Sequence, residues 1–419
     1  MKFFWPAPLD LIDPKFDFIS ETGSFNNAKQ KNQKFPHEIF DSPVYHGFVV
    51  SKIYVNQGKN CRWNASQLMR FFREGARRFL HVTEDKPLLI MGDSGAYTDD
   101  SNEALAGHLI DDCLDVLEFY STIGVDYGLS PDHVISGYLQ IISENKDQEI
   151  PSNWIVRWNR TIELAQIFWS LCKKKGVSWT PIGVAQGWSP ESYLNSVKQL
   201  EEIGYSYIAL GGLNRLRNDD IIKVVTSCSQ AKSATTQFHL LGVSRLEHIE
   251  LFNQLGVTSF DSSMPLRQAI SDDKTNYHTP EQAYLAIRVP QTMASPRLLK
   301  LVSKQTLDQE ELSTLEIASL DILRKYDSDK ASLNDVLHVL QGGITYRKER
   351  DFIIEYKKVL EAKPWKECRC PICKELGIEV ILLRNRERNL RRGFHNLYTF
   401  SNKLKQLFPS SWGPKHSNL

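Results

Sequence analysis

From about residue 45 to residue 261, short apolar runs alternate with longer amphipathic stretches. Tyr45–Val55, Pro87–Met91, Val125–Leu129, Trp179–Ala185, Tyr205–Leu210, Phe238–Val243 and Val257–Phe260 are strand-length runs bounded by turn formers. Helical spacing fills the gaps. A helix is predicted over Ser66–Leu80, with Leu68, Phe72, Gly75 and Phe79 as its apolar row, and others over Ala104–Tyr120 and Trp154–Lys175. Gly176 ends the last of these, after a basic final turn that suits the helix dipole. Ser189-Pro190 opens a helix that runs to Gly204, and Asn218 caps another to Ser227. Ser244-Arg-Leu-Glu247 reads as a capping box for a helix ending at Gly256.

Strands separated by single helices pair in parallel. With Ala283–Arg288 as an eighth strand, the pattern predicts an α/β chain closing into a (β/α)8 TIM barrel; an open doubly wound sheet is the alternative. Beyond residue 295 the texture becomes helical and charged, over Thr306–Tyr326, Leu333–Leu340 and Asp351–Ala362. The expected organisation is an irregular N-terminal cover at 1–45 and the catalytic barrel at 46–295. A helical region follows at 296–364, then a basic zinc-binding subdomain at 365–419.

Composition changes this picture little. A net charge of +1 over 419 residues names no partner, so any basic surface must be local. Met1–Pro6 has no apolar core of the kind a signal peptide carries, and no run long enough to span a membrane occurs. Four cysteines are scattered singly and three are clustered, which suits a reducing cytoplasm and one metal site.

Cys368-Arg-Cys370-Pro-Ile-Cys373 and His395 supply three thiolates and an imidazole, a full tetrahedral set for zinc. Four protein ligands leave no open position, so the metal is expected to be structural. Around His395 cluster Arg384, Arg386, Arg388, Arg391, Arg392, Lys403 and Lys405, interleaved with Phe394, Tyr398 and Phe400. That pattern predicts contact with a nucleic-acid backbone; a helix solvated by arginines is the plainer reading. Asp93 and Asp261 each close a strand run, where barrels and open sheets alike place their sites. Gln186 follows another strand and offers a donor and an acceptor to a purine edge. Gly211-Gly212 either admit a flat ligand or serve a tight turn, and Asp132 either accepts two N–H groups or caps a turn.

Taken in order, Gly92-Asp-Ser-Gly95, Val184-Ala-Gln-Gly187, Leu210-Gly-Gly-Leu213, His239-Leu-Leu-Gly-Val243, Phe260-Asp-Ser262, the cysteine cluster and His395 resemble the tRNA-guanine transglycosylase superfamily. Met91–Tyr97, Gly128–Val134 and the Phe-rich N-terminus resemble its DpdA branch, DNA-guanine transglycosylases that insert a 7-deazaguanine into DNA. The resemblance implies Asp261 as nucleophile at C1′ of the target guanosine and Asp93 as general acid/base. It implies that Ser94, Asp132, Gln186, Gly211, Gly212 and Leu213 read the incoming base, 7-cyano-7-deazaguanine (preQ0). It further implies structural zinc on Cys368, Cys370, Cys373 and His395, and a helper protein that opens the duplex. A base in a duplex cannot reach a carboxylate at a barrel mouth, so the guanine nucleotide must be flipped out or single-stranded. The alternatives are the same chemistry on tRNA and a non-catalytic nucleic-acid-binding subunit on the same fold.

Overall fold

Eight parallel strands, β1 (Lys2–Pro6), β2 (Gly47–Ser51), β3 (Leu89–Asp93), β4 (Tyr127–Leu129), β5 (Thr180–Ala185), β6 (Tyr207–Leu210), β7 (Gln237–Leu240) and β8 (Val257–Asp261), follow one another around a closed barrel. This computed structural model describes residues 1–6, 10–23, 32–55, 63–95, 108–139, 149–271 and 275–412. Cys61, Tyr97 and the start of the helix expected from Ala104 lie outside them. The barrel closes where β1 pairs with β8, Phe4 opposite Asp261.

The eighth strand is therefore Lys2–Pro6, within the stretch read as irregular cover, and not Ala283–Arg288. Phe3, Phe4 and Trp5 are all buried, and Phe3 stacks on Phe260 with ring centroids 5.2 Å apart. A run of three aromatics ended by a proline is too short to declare itself by periodicity. Phe4, Val49, Met91, Leu129, Ile182, Val184, Tyr207 and Ala209 from β1 to β6 pack into one cluster. Such inward side chains make a (β/α)8 barrel a solid core with its working face at the strands' C-terminal ends.

The helices between strands are α1 (Ala65–Phe79), α2 (Leu109–Ile123), α3 (Ser152–Lys175), α4 (Pro190–Ile203), α5 (Asn218–Ala231) and the short α6 (Ile249–Gln254). Asn64 caps α1 and Ser189 caps α4. Gly176 ends α3 in the left-handed region, as its position predicted. In α1 the buried face is Leu68, Phe71, Ala76 and Phe79, while Phe72 is exposed, and the helix kinks at Gly75. The Ser244 capping box does not form: the Ser244 hydroxyl lies 2.8 Å from that of Ser262, and a 3-10 turn begins at Leu246.

Two compact units result, neither continuous in sequence. The first is Met1–Leu9, Tyr45–Ser263 and Leu407–Leu419, and holds the barrel. The second is Asp10–Val44 and Met264–Gln406. Its helices are α7 (Met264–Ser271), α8 (Pro296–Ser303), α9 (Gln309–Asp327), α10 (Leu333–Arg347), α11 (Ile353–Ala362), α12 (Pro371–Leu376) and α13 (Arg386–Leu407). Ala283–Arg288 belongs here, as pieces of two small two-stranded sheets. No helix of the described residues is long and apolar enough to cross a membrane.

Candidate active site

Asp93 and Asp261 are the last residues of β3 and β8, so the parallel barrel delivers both to its C-terminal mouth. Burial, with a smaller part from the negative charge of Asp261, raises the Asp93 carboxyl above the usual range, against hydrogen bonds from the Ser51 hydroxyl and the Gly95 backbone. A carboxyl whose protonated form is favoured by burial suits a proton donor.

Asp261 is held by one oxygen. Its Oδ1 accepts the Gly242 backbone N–H at 2.8 Å and lies 3.2 Å from Nε2 of His239. Gly242 turns to φ +68°, a conformation that presents its N–H to Asp261 and that a side chain would strain. Behind His239 the Ser259 hydroxyl lies 2.6 Å from Nδ1 and is itself bonded to the Tyr207 hydroxyl.

A second pair of polar groups is buried beyond β5. Gln186, just after β5, donates its amide N–H to Oδ2 of Asp132 at 2.7 Å. Both side chains are buried, and among the described residues Oε1 of Gln186 has no partner. Burial and the charge of Asp93 push the Asp132 carboxyl up to about 7, while the Gln186 amide and the Ser94 hydroxyl pull it down. Gly211 and Gly212 leave room for Gln186: a Cβ would stand 2.4 Å from its Nε2 at Gly211 and 2.9 Å from its Oε1 at Gly212. The glycine pair thus serves close approach to Gln186. Leu213 starts a 3-10 turn with its side chain fully buried, so only its backbone could face a ligand.

The sequence reading brought Asp93, Ser94, Asp132, Gln186, Gly211 and Asp261 forward, and the barrel gathers them at its mouth. It passed over His239, Gly242, Ser259 and Tyr207 as site residues. The available signal was a polar residue at an inward position of an otherwise apolar strand, which a packed barrel interior disfavours.

In the second unit, Cys368, Cys370, Cys373 and His395 present ligand atoms all within 4.8 Å of one another. Nδ1 of His395 lies 3.3 to 3.5 Å from the three sulfurs. A tetrahedral ion with metal–sulfur bonds of roughly 2.3 Å and a metal–nitrogen bond of roughly 2.0 Å spaces its ligands in this way. Nε2–H of His395 is committed to the His278 carbonyl at 2.7 Å, which leaves Nδ1 as the lone pair facing the sulfurs. This cluster can hold a metal ion.

The arginine cluster is corrected by burial. Arg384, Arg388, Arg391 and Arg392 are each 6% exposed or less, too enclosed for phosphate contacts. Glu21 bridges Arg384 and Arg388, Glu316 adds to Arg384, Glu379 adds to Arg388, and Glu387 pairs with Arg391. Arg392 donates to the Ala269 and Leu382 carbonyls, and burial lowers it to about 9. Arg386 alone of the five keeps an exposed guanidinium. Phe394 and Phe400 are core residues and Tyr398 stacks on Phe40.

A closed parallel barrel with two strand-end carboxylates, Asp93 and Asp261, at its C-terminal mouth defines the class, a (β/α)8-barrel enzyme. No known family model matches the chain. It is 38% identical to a DNA-guanine transglycosylase of Salmonella montevideo over 415 residues, 97% of each chain. It is also 32% identical to a queuine tRNA-ribosyltransferase of Pseudoalteromonas translucida (strain TAC 125), over 106 residues covering 24% of this chain and 28% of that one. The chain belongs to the guanine transglycosylase superfamily of pentosyltransferases.

Proposed function

We propose that this chain exchanges guanine in DNA for a 7-deazaguanine base, 7-cyano-7-deazaguanine, by double displacement. One observation carries the reading: Asp261 has one oxygen anchored by Gly242 and His239 while its charge acts on Asp93. The near-full-length similarity to a DNA-guanine transglycosylase supports DNA as the polymer.

In the first displacement Oδ2 of Asp261 bonds to C1′ as the C1′–N9 bond breaks. The bonding pair leaves with guanine, which takes a proton from Asp93. The oxocarbenium character at C1′ is stabilised by the carboxylate beneath it. In the second displacement Asp93, now ionised, takes the N9 proton of the entering base. That nitrogen bonds to C1′ and Asp261 leaves as carboxylate, so the configuration at C1′ is retained. Asp93 thus returns to its starting state, and the exchange consumes no nucleotide triphosphate or redox partner.

Asp132 and Gln186 are suited to hold either base. Ionised Asp132 accepts N–H groups of the guanine-like edge, and the orphan Oε1 of Gln186 accepts another. Ser94 and the backbone of Gly211, Gly212 and Leu213 line the same pocket. Zinc on Cys368, Cys370, Cys373 and His395 would be structural, because four protein ligands complete its shell. Flipped or single-stranded DNA, presented by a duplex-opening helper, would bring the nucleotide to the barrel in the cytoplasm.

The test supplies labelled guanine, then 7-cyano-7-deazaguanine, with DNA and tRNA competing in one reaction. Label is expected to enter and leave DNA. Exchange confined to tRNA would replace the polymer and keep the chemistry. Binding of DNA with no exchange of any base would reduce the chain to a binding subunit. An Asp261→Ala protein that still exchanged bases would remove the nucleophile.

A further inference from the structure

The packed cluster from β1 to β6 is apolar apart from the tyrosine hydroxyls of Tyr127 and Tyr207, whereas buried polar side chains meet where β7 and β8 pair. Ser259 and Asp261 alternate with Phe260, so they point to one face of β8. His239 lies beside them on β7 and Tyr207 closes the column from β6. His239 and Ser259 are wholly buried. Packing alone would favour Val, Ile or Leu at such positions. A buried polar column costs stability unless every member is satisfied.

This column can be satisfied in one direction when Asp261 is ionised. A carboxylate only accepts, so Nε2 of His239 must carry the hydrogen that reaches Oδ1. The imidazole is neutral in this scheme, so Nδ1 accepts from the Ser259 hydroxyl. The Ser259 oxygen then accepts from the Tyr207 hydroxyl. Each group gives one hydrogen and the chain ends on the carboxylate. With Gly242 N–H as second donor, Oδ1 is saturated and the carboxylate plane is fixed. Among the described residues no donor is assigned to Oδ2, the oxygen that remains for C1′.

We infer that His239 is a positioning residue for the reaction, locked as its Nε2–H tautomer by Ser259 and Tyr207, and that it holds Asp261 so that Oδ2 attacks. The inference rests on Asp261 being the nucleophile. It explains a division of labour between the two oxygens. The donors on Oδ1 also stabilise the charge that returns to Asp261 when the second displacement expels it.

The decisive comparison uses the full-length protein with His239→Leu, His239→Gln and Asp261→Ala. Glutamine keeps an N–H near the place of Nε2, and leucine removes it. His239→Leu is expected to lower kcat for labelled-guanine exchange on the order of 10- to 100-fold. The KM for guanine should hold within about twofold, because Asp132 and Gln186 are untouched. His239→Gln should recover at least about tenfold of the lost rate.

Equal losses in the leucine and glutamine proteins would make His239 a packing residue and overturn the inference. So would full activity of His239→Leu beside an inactive Asp261→Ala. An active Asp261→Ala protein would remove the nucleophile and this inference together, a distinguishable result. The tautomer is read without turnover, from nitrogen NMR of labelled histidine in the free enzyme, with the signal assigned by its loss in His239→Gln. A hydrogen on Nδ1 in place of Nε2 would overturn the proposed direction whatever the rates of the variants.

Discussion

Gln186 gives its amide N–H to Asp132 at 2.7 Å and keeps its carbonyl oxygen without a partner in a buried site. A buried acceptor left unsatisfied costs on the order of 1 to 3 kcal/mol. That cost is recovered when a ligand with an N–H at the right place arrives. Under the proposed function, the other half of this hydrogen-bonding pattern would be a flat, donor-bearing ring.

Affinity for the free base should depend on pH through Asp132. Its carboxyl is pushed up to about 7 by burial and by Asp93. The ionised form is the acceptor, so binding of 7-cyano-7-deazaguanine should strengthen as pH rises through about 7 and level off above it. Below that the affinity should fall about tenfold per unit. Calorimetric titration from acid to mildly alkaline pH checks this, and Asp132→Asn should bind weakly with no such slope.

The same residue should trade stability against binding. A folded-state value raised from 3.8 to about 7 means a contribution present at low pH and lost as pH rises through the folded value. Asp132→Asn removes that loss. At pH 8 the variant should be more stable than the parent, by at most about 4 kcal/mol at roughly 1.4 kcal/mol per unit. Denaturant unfolding at pH 8 and near pH 4 measures it, and the gain should vanish at the lower pH.

Metal removal should unfold part of the second unit. Elemental analysis is expected to find about one zinc per chain, since the ligand set is complete for one ion. Cys373→Ser or a strong chelator should lower the melting temperature and the protease resistance of Met264–Gln406. Exchange activity lost before the metal leaves would count against a structural role.

Arg388→Ala should act on stability and leave the salt dependence of nucleic-acid binding alone. Its guanidinium is bonded to Glu21, Glu379 and the Phe18 carbonyl. Removing it leaves Glu21 to Arg384 and Glu379 to Arg324, each with fewer donors, at roughly 1.5 to 3 kcal/mol. Unfolding curves should show that loss. A reduced salt slope of DNA binding in a folded Arg388→Ala protein would instead restore the phosphate-contact reading. Arg386, exposed on the same helix, is the control expected to cost little stability.

Much of this was legible in the chain itself because it is local. Apolar runs of strand length, bounded by polar or glycine residues, located seven of the barrel strands to within a few residues. They also placed Asp93, Gln186, Gly211 and Asp261 at the strand exits. Three cysteines within six residues and a later histidine are a local chemical statement, and the model brings them together. Lys2–Pro6 escaped because three buried aromatics have no period to read; only pairing with β8 identifies them as a strand.

Long-range pairing decided the rest. The arginines of α13 looked like a basic surface because Glu21, the acid that neutralises Arg384 and Arg388, is more than 360 residues away in the chain. His239 and Asp261 lie on separate strands, and only the parallel register of β7 and β8 turns them into donor and acceptor. Residue type and spacing determined which groups were available. The closing of the barrel determined which charges met and which were buried, and burial is what changes their chemistry.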